Sequence, residues 1–139
     1  ASTPSARAVF DPHRLNAALA AKEVERAIPA LEQSEKDLPA DFNPPARLAL
    51  AHKEQGKLEL AEADIARALQ KNTGGPRRLR LFDIQASIFA ARGNVAAQKK
   101  SLADAIAYGN GLPTAQRPVG KIASFEKQLA ALAAPAAKK

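Results

Sequence analysis

The sequence predicts an all-α chain built from helix-turn-helix repeats. Three observations carry that expectation: a composition rich in helix formers, a segment that recurs downstream, and a glycine at the same place in both copies. Ala, Leu, Lys, Glu, Gln and Arg are abundant among the 139 residues, and all favour helices. Aromatic residues make up only 4% and Trp is absent. Helices carrying small residues and approaching closely therefore suit this chain better than a core built on large rings.

The recurring segment runs from Leu48 to Leu69 and again from Gln85 to Ile106. Anchored on Gly56 and Gly93, Ala49 aligns with Ala86, Ile65 with Leu102, and Ala68-Leu69 with Ala105-Ile106. Each copy reads as helix, glycine turn, helix. Glycine can take the left-handed conformation that ends a helix, so Gly56 and Gly93 mark the turns. The small residues at 49, 61, 68, 86 and 105 permit close helix approach, and the branched residues at 48, 65, 69, 102 and 106 fill the remaining space. Between the copies, Thr73-Gly74-Gly75-Pro76 reads as a turn with a helix starting at Pro76. The run Gly109-Asn110-Gly111-Leu112-Pro113 reads as the stop of the second copy. A last helix is expected from about Pro118 to Ala133, with Ile122, Phe125, Leu129 and Leu132 along one face.

With these residues in place, the chain resembles the tetratricopeptide repeat (TPR) family, a 34-residue helix-turn-helix repeat. Residues 42–75 supply Ala49, Gly56, Ala61, Ile65 and Ala68 at the family's marked positions, with Thr73 where Pro is usual. Residues 79–112 supply Ala86, Gly93, Leu102 and Ala105, while Gln98 replaces a conventional Ala and predicts looser packing there. A degenerate upstream copy is implied by Ala27, Leu31, Ser34 and Pro39; Lys22 stands where its glycine belongs, and Pro29 predicts a bend or restart of its second helix. The resemblance implies about three TPR-like repeats over residues 12–133, closed by a C-terminal capping helix. Residues 1–11 then form a flexible N-terminal segment and 134–139 a disordered tail. The start Ala1-Ser2-Thr3-Pro4-Ser5 has the small, polar character that follows a secretory cleavage site. A periplasmic or secreted bacterial location is the expectation, with a cytoplasmic one as the alternative.

Chemistry-bearing constellations are sparse in the sequence. Without Cys the chain has no disulfide, thiolate ligand or thiol nucleophile. His13 and His52 are far apart in sequence and read as helix-surface residues. Glu59, Glu62 and Asp64 beside Lys57 and Arg67 read as solvated ion pairs. Gly74-Gly75-Pro76-Arg77-Arg78 lacks the Gly-Lys-Ser/Thr ending of a phosphate loop. No catalytic residue, metal or cofactor is expected, and the chain does not read as an enzyme.

The resemblance instead implies a protein-interaction scaffold. In the family, the first helices of the repeats line a concave groove, which here would offer Asn43, Arg47, Leu50 and Lys53, then Arg80, Asp83, Ile84 and Ser87. Ala46, Glu54, Ala90 and Ala91 would flank them, and the degenerate first repeat would add Pro12, His13, Asn16, Leu19 and Ala20. A familiar carboxylate clamp of the family would fall on Pro12, Asn16, Arg47, Arg80 and Ile84, which breaks its key basic pair. The partner expected is another protein or a peptide segment. The net charge of +7 is uneven, at −2 over residues 1–41 and +9 over residues 42–139. That asymmetry admits an acidic partner, an anionic surface or nucleic acid. Basic nucleic-acid binding and self-association as a homodimer are therefore the alternatives, though stacking aromatics are nearly missing from the groove set.

Overall fold

A computed structural model describes residues 24–133, and every described element is helical. The chain divides into two compact units, residues 1–73 and 74–139. His13 and the other groove residues expected before position 24 lie outside the described residues, as do the N-terminal segment and the C-terminal tail.

The first unit contains α1 (Val24–Asp37), α2 (Asn43–Glu54) and α3 (Leu58–Lys71), packed α1 on α2 and α2 on α3. Val24, Ala27 and Leu31 recur at the spacing of one helix face and bury against Leu48 and Ala51 of α2. Ser34, one turn further on, is also fully buried. Pro29 is exposed and α1 runs through it as one helix, so the expected restart does not occur. Asp41 starts α2 by accepting hydrogen bonds on Oδ1 from the Asn43 backbone N–H (2.8 Å) and side chain (2.9 Å). Pro44 and Pro45 follow in the first turn, where a missing N–H costs nothing, and both are buried. Between α2 and α3, the fully buried Ala49, Ala61 and Ala68 leave room for Ile65 and Leu48, which are also buried.

The second unit contains α4 (Arg78–Arg92), α5 (Val95–Asn110) and α6 (Val119–Ala133), with a short 3-10 turn at Thr114–Gln116. Here α5 packs on both α4 and α6. The loop into α4 places Gly74 and Gly75 at positive φ, and α4 begins at Arg78, two residues after the expected start. The Arg78 guanidinium lies over the rings of Phe82 (5.4 Å) and Tyr108 (5.7 Å). At the repeat position where Ala61 is fully buried, Gln98 is only half-buried.

The two expected glycine turns are built from the same hydrogen bonds. Gly56 has φ +77° and Gly93 φ +73°. After the first, the N–H of Lys57 reaches His52 O at 2.9 Å; after the second, Asn94 reaches Phe89 O at 2.9 Å. Both are the six-to-one bond of a left-handed helix end. A Cβ at either glycine would meet nothing within 4 Å, so backbone conformation alone selects glycine there.

The run expected to stop the second copy does so, since α5 ends at Asn110 with Gly111 as its C-cap, and within it Gly109 has a packing role as well. It is buried inside α5, and a Cβ there would lie 2.8 Å from Ile122 Cγ1. Its bare Cα lets α6 seat Ile122 against α5. With Phe125, also buried, this forms the packed face expected of the terminal helix, while Leu129 and Leu132 are half-buried.

Candidate functional site: the exposed faces of α2 and α4

The sequence-predicted site residues fall on two helices, one in each unit, and the two faces are built differently. On α2, Asn43, Arg47, Leu50 and Lys53 are all half-buried. Asn43 spends its amide on Asp41. Leu50 packs against the cluster of Val24, Ala27, Leu31, Leu48 and Ala51 and so belongs partly to the core. Lys53 sits in the last turn of α2, where a cation is favoured by the helix dipole.

On α4, Leu79, Leu81, Phe82, Ile84, Ala86 and Ile88 are buried. Those positions lie on opposite sides of the helix and leave two accessible stripes between them, one with Arg80, Asp83 and Ser87 and the other with Gln85, Phe89 and Arg92. On the first of these Arg80 is exposed, and Asp83 and Ser87 are half-buried. Ile84 is 7% exposed and acts as the floor of this stripe. Ser87 donates its hydroxyl to Ile84 O at 2.7 Å within its own helix. Asp83 faces Lys121 of α6, whose Nζ is 3.5 Å from Oδ2 and 5.5 Å from the Phe125 ring centre. Lys121 was not among the sequence-predicted residues. Its signal was available as an opposite charge 38 residues beyond Asp83, close to the 37-residue spacing of the two glycine turns.

The strongest electrostatic feature lies among α1, α2 and α3, and it corrects the surface reading of two residues. His52 is buried at 8% exposure and Asp64 at 4%. His52 Nδ1 lies 2.5 Å from Asp64 Oδ2, while Asp64 Oδ1 accepts from Arg67 at 2.8 Å. Arg67 also forks onto Glu35, Nε to Oε2 at 2.8 Å and Nη2 to Oε1 at 2.9 Å. Lys71 adds a bond to Glu35 Oε2 at 2.8 Å. The Arg67 hydrogen bonds hold the Glu35 carboxyl down to about 2, and the same pairing raises Arg67. A carboxylate that accepts donated hydrogen bonds from cations is favoured in its charged form. Asp64 and Arg67 are thus members of a partly buried network, and His52 occupies the repeat position of Phe89. That equivalence is the sequence signal that pointed inward.

This network opens onto a pocket of about 410 Å³ lined by Glu32, Glu35, Lys36, Leu48, His52, Asp64 and Arg67. Among the described residues, no group of three His, Asp or Glu side chains is arranged to hold a metal ion. Nor is any described helix long and apolar enough to cross a membrane.

No family model matches the sequence, and no curated protein matches it. Solved structures do match the fold. The TPR2B domain of yeast Sti1 in a pHsp70 complex is similar at TM-score 0.70 and 17% identity, covering 90% of this chain and 97% of that one. The second TPR domain of human RPAP3, in complex with the HSP70 peptide SGPTIEEVD, is similar at TM-score 0.65 and 20% identity, covering 88% and 98%. The first TPR of Spaghetti (RPAP3), bound to the HSP90 peptide SRMEEVD, is similar at TM-score 0.63 and 15% identity, covering 89% and 94%. The chain therefore has the all-helical repeat fold of TPR domains.

Proposed function

We propose that this chain is a protein-interaction module with a partner-contact surface on the accessible face of α2 in the first unit and another on that of α4 in the second. The observation that carries this reading is the α4 stripe. Beside its buried residues, α4 keeps Arg80, Asp83 and Ser87 accessible next to the apolar Ile84. An apolar base flanked by hydrogen-bonding and charged groups is what a peptide-binding surface requires. The fold likeness supports the same reading, because two of the similar domains carry peptides named with them. Scaffolding within a larger assembly, without catalysis, is the role that follows.

The test is affinity capture from an extract of the native organism with wild type and the double variant Lys53→Glu, Arg80→Glu. Leu50 is left intact because it packs on the α1 cluster, so its loss would confuse binding with folding. Circular dichroism on both forms verifies the helices. A protein retained by wild type and lost by the folded variant supports the reading. Capture unaffected by both charge reversals refutes it.

A further inference from the structure

We infer that the pocket among α1, α2 and α3 is a binding site for a small uncharged molecule bearing a primary carboxamide, with Arg67 donating to its carbonyl oxygen and His52 accepting from its N–H. This goes beyond the proposed interaction function, since Leu48 and His52 line the pocket from the side of α2 opposite Leu50 and Lys53.

The ion network leaves two groups unused. A carboxylate only accepts, so in its bond to Asp64 the His52 ring donates from Nδ1. The neutral imidazole then presents a lone pair at Nε2. Arg67 spends Nε and Nη2 on Glu35 and Asp64, which leaves the N–H groups of Nη1. Among the described residues, neither His52 Nε2 nor Arg67 Nη1 has a hydrogen-bond partner, and neither is sealed from solvent. Both residues line the pocket, and the two oxygens of Asp64 hold them side by side. One acceptor and one charged donor are thus fixed in place by their other bonds. A primary carboxamide carries the complementary acceptor and donor on a single carbon.

The charge around the pocket is balanced. Glu32, Glu35 and Asp64 line it together with Lys36 and Arg67, and Lys71 is bonded to Glu35. Three carboxylates therefore stand against three cations. Glu35 and Asp64 are already held by short hydrogen bonds from their partners, so an ammonium ligand would have to displace Arg67 to reach them. A carboxylate ligand would lie against three groups of its own sign. An uncharged amide meets neither penalty and satisfies the two unused groups.

Size and lining favour an apolar body on that amide. The volume of about 410 Å³ falls within the range of roughly 300–1,000 Å³ common to small-molecule sites. Leu48 supplies an apolar floor beside the imidazole ring, and it is itself buried. A ring or short aliphatic group carried by the amide covers Leu48 and removes further apolar surface from water.

The experiment titrates the isotope-labelled full chain with benzamide at about pH 8, where an ordinary imidazole is neutral, and follows the imidazole nitrogens by NMR. The chain has two histidines, so His13→Gln identifies the signals of His52. Benzamide is expected to bind saturably, with a Kd on the order of 1 mM for so small a ligand, and to shift the His52 Nε2 signal. Acetophenone keeps the ring and the carbonyl but has no N–H, and should bind roughly fivefold more weakly, the loss of one hydrogen bond. Benzoate and benzylammonium should bind more weakly than benzamide. Arg67→Lys, which keeps a cation beside Glu35, should weaken benzamide roughly tenfold. His52→Phe should erase the preference for benzamide over acetophenone, and circular dichroism verifies that each variant is folded. Should His52→Phe fail to fold, the wild-type Nε2 signal decides, since benzamide must shift it more than acetophenone does. Equal affinity for benzamide and acetophenone in wild type would mean an apolar cavity only and overturn the assignment. Tighter binding of benzoate would make the pocket an anion site and overturn it too. Absence of any saturable shift with benzamide would remove the site altogether.

Discussion

Replacing Glu35 by Gln tests whether the charge network among α1, α2 and α3 stabilises the fold. The carboxylate accepts two hydrogen bonds from Arg67 and one from Lys71, and its side chain is 16% exposed. Its carboxyl is held from 4.5 down to about 2. At roughly 1.4 kcal/mol per pH unit, that difference corresponds to about 3 kcal/mol. Arg67 is 40% exposed, and solvent screening of such a partner reduces the figure to about 1–2 kcal/mol. The sign follows from linkage. A carboxyl with its folded value below its unfolded value binds protons more readily in the unfolded chain, so its contribution is complete above about pH 4.5 and disappears as pH falls towards 2. Urea unfolding of wild type and Glu35→Gln at a series of pH values measures this directly. The variant should be less stable by about 1–2 kcal/mol at pH 7, and the two curves should converge between pH 4.5 and about 2. No difference at pH 7, or an undiminished difference at the acid end, would refute the assignment of stability to the ionised carboxylate.

Gly109→Ala should destabilise the second unit by about 1 kcal/mol, since overpacking costs roughly 1–3 kcal/mol and the gain in helix propensity returns up to about 1 kcal/mol. Thermal unfolding checks this, and a variant as stable as wild type would mean Ile122 can withdraw freely. Gly56→Ala and Gly93→Ala should each cost about 1–2 kcal/mol, because both glycines hold left-handed backbone with no steric neighbour. Unequal costs in urea unfolding would show that the two turns are not equivalent, despite their shared hydrogen bonds.

What the sequence made legible was the backbone plan. Two glycines 37 residues apart appear in the structure as two left-handed helix ends with the same six-to-one hydrogen bond. The small residues expected to permit close helix approach, Ala49, Ala61, Ala68, Ala86 and Ala105, are all buried. These features are local or repeat regularly, so periodicity reports them. The restart expected at Pro29 is absent, and the packing role of Gly109 within the run that stops α5 has no signal in local sequence. Pro29 is accommodated within α1, and Gly109 serves a contact with a residue thirteen positions away. His52 and Asp64 were misjudged for another reason. Polar side chains carry a surface expectation that only a partner in space removes, and here the partners come from three helices. Alignment with Phe89 and the buried Ser101 in the other copy held the information, since equivalent repeat positions tend to share burial.

Two cross-helix charge contacts illustrate how similar sequence spacings divide into structural and available groups. Glu35 pairs with Arg67 and Lys71 at separations of 32 and 36 residues, and Asp83 with Lys121 at 38. In each case the partners lie about one repeat apart, on helices with one other helix between them in the chain. The first set closes at 2.8–2.9 Å around a carboxylate with little solvent access, and three donated hydrogen bonds hold it. Displacing it would strand a buried charge, which is strongly unfavourable. The second stands at 3.5 Å with both partners well exposed, so either can leave without stranding the other. Stability is therefore expected to follow Glu35 and to be nearly indifferent to Lys121. Glu35→Gln should shift urea unfolding by about 1–2 kcal/mol at pH 7, and Lys121→Gln by less than about 1 kcal/mol. Equal shifts by the two variants would refute the division between a structural network and an open pair.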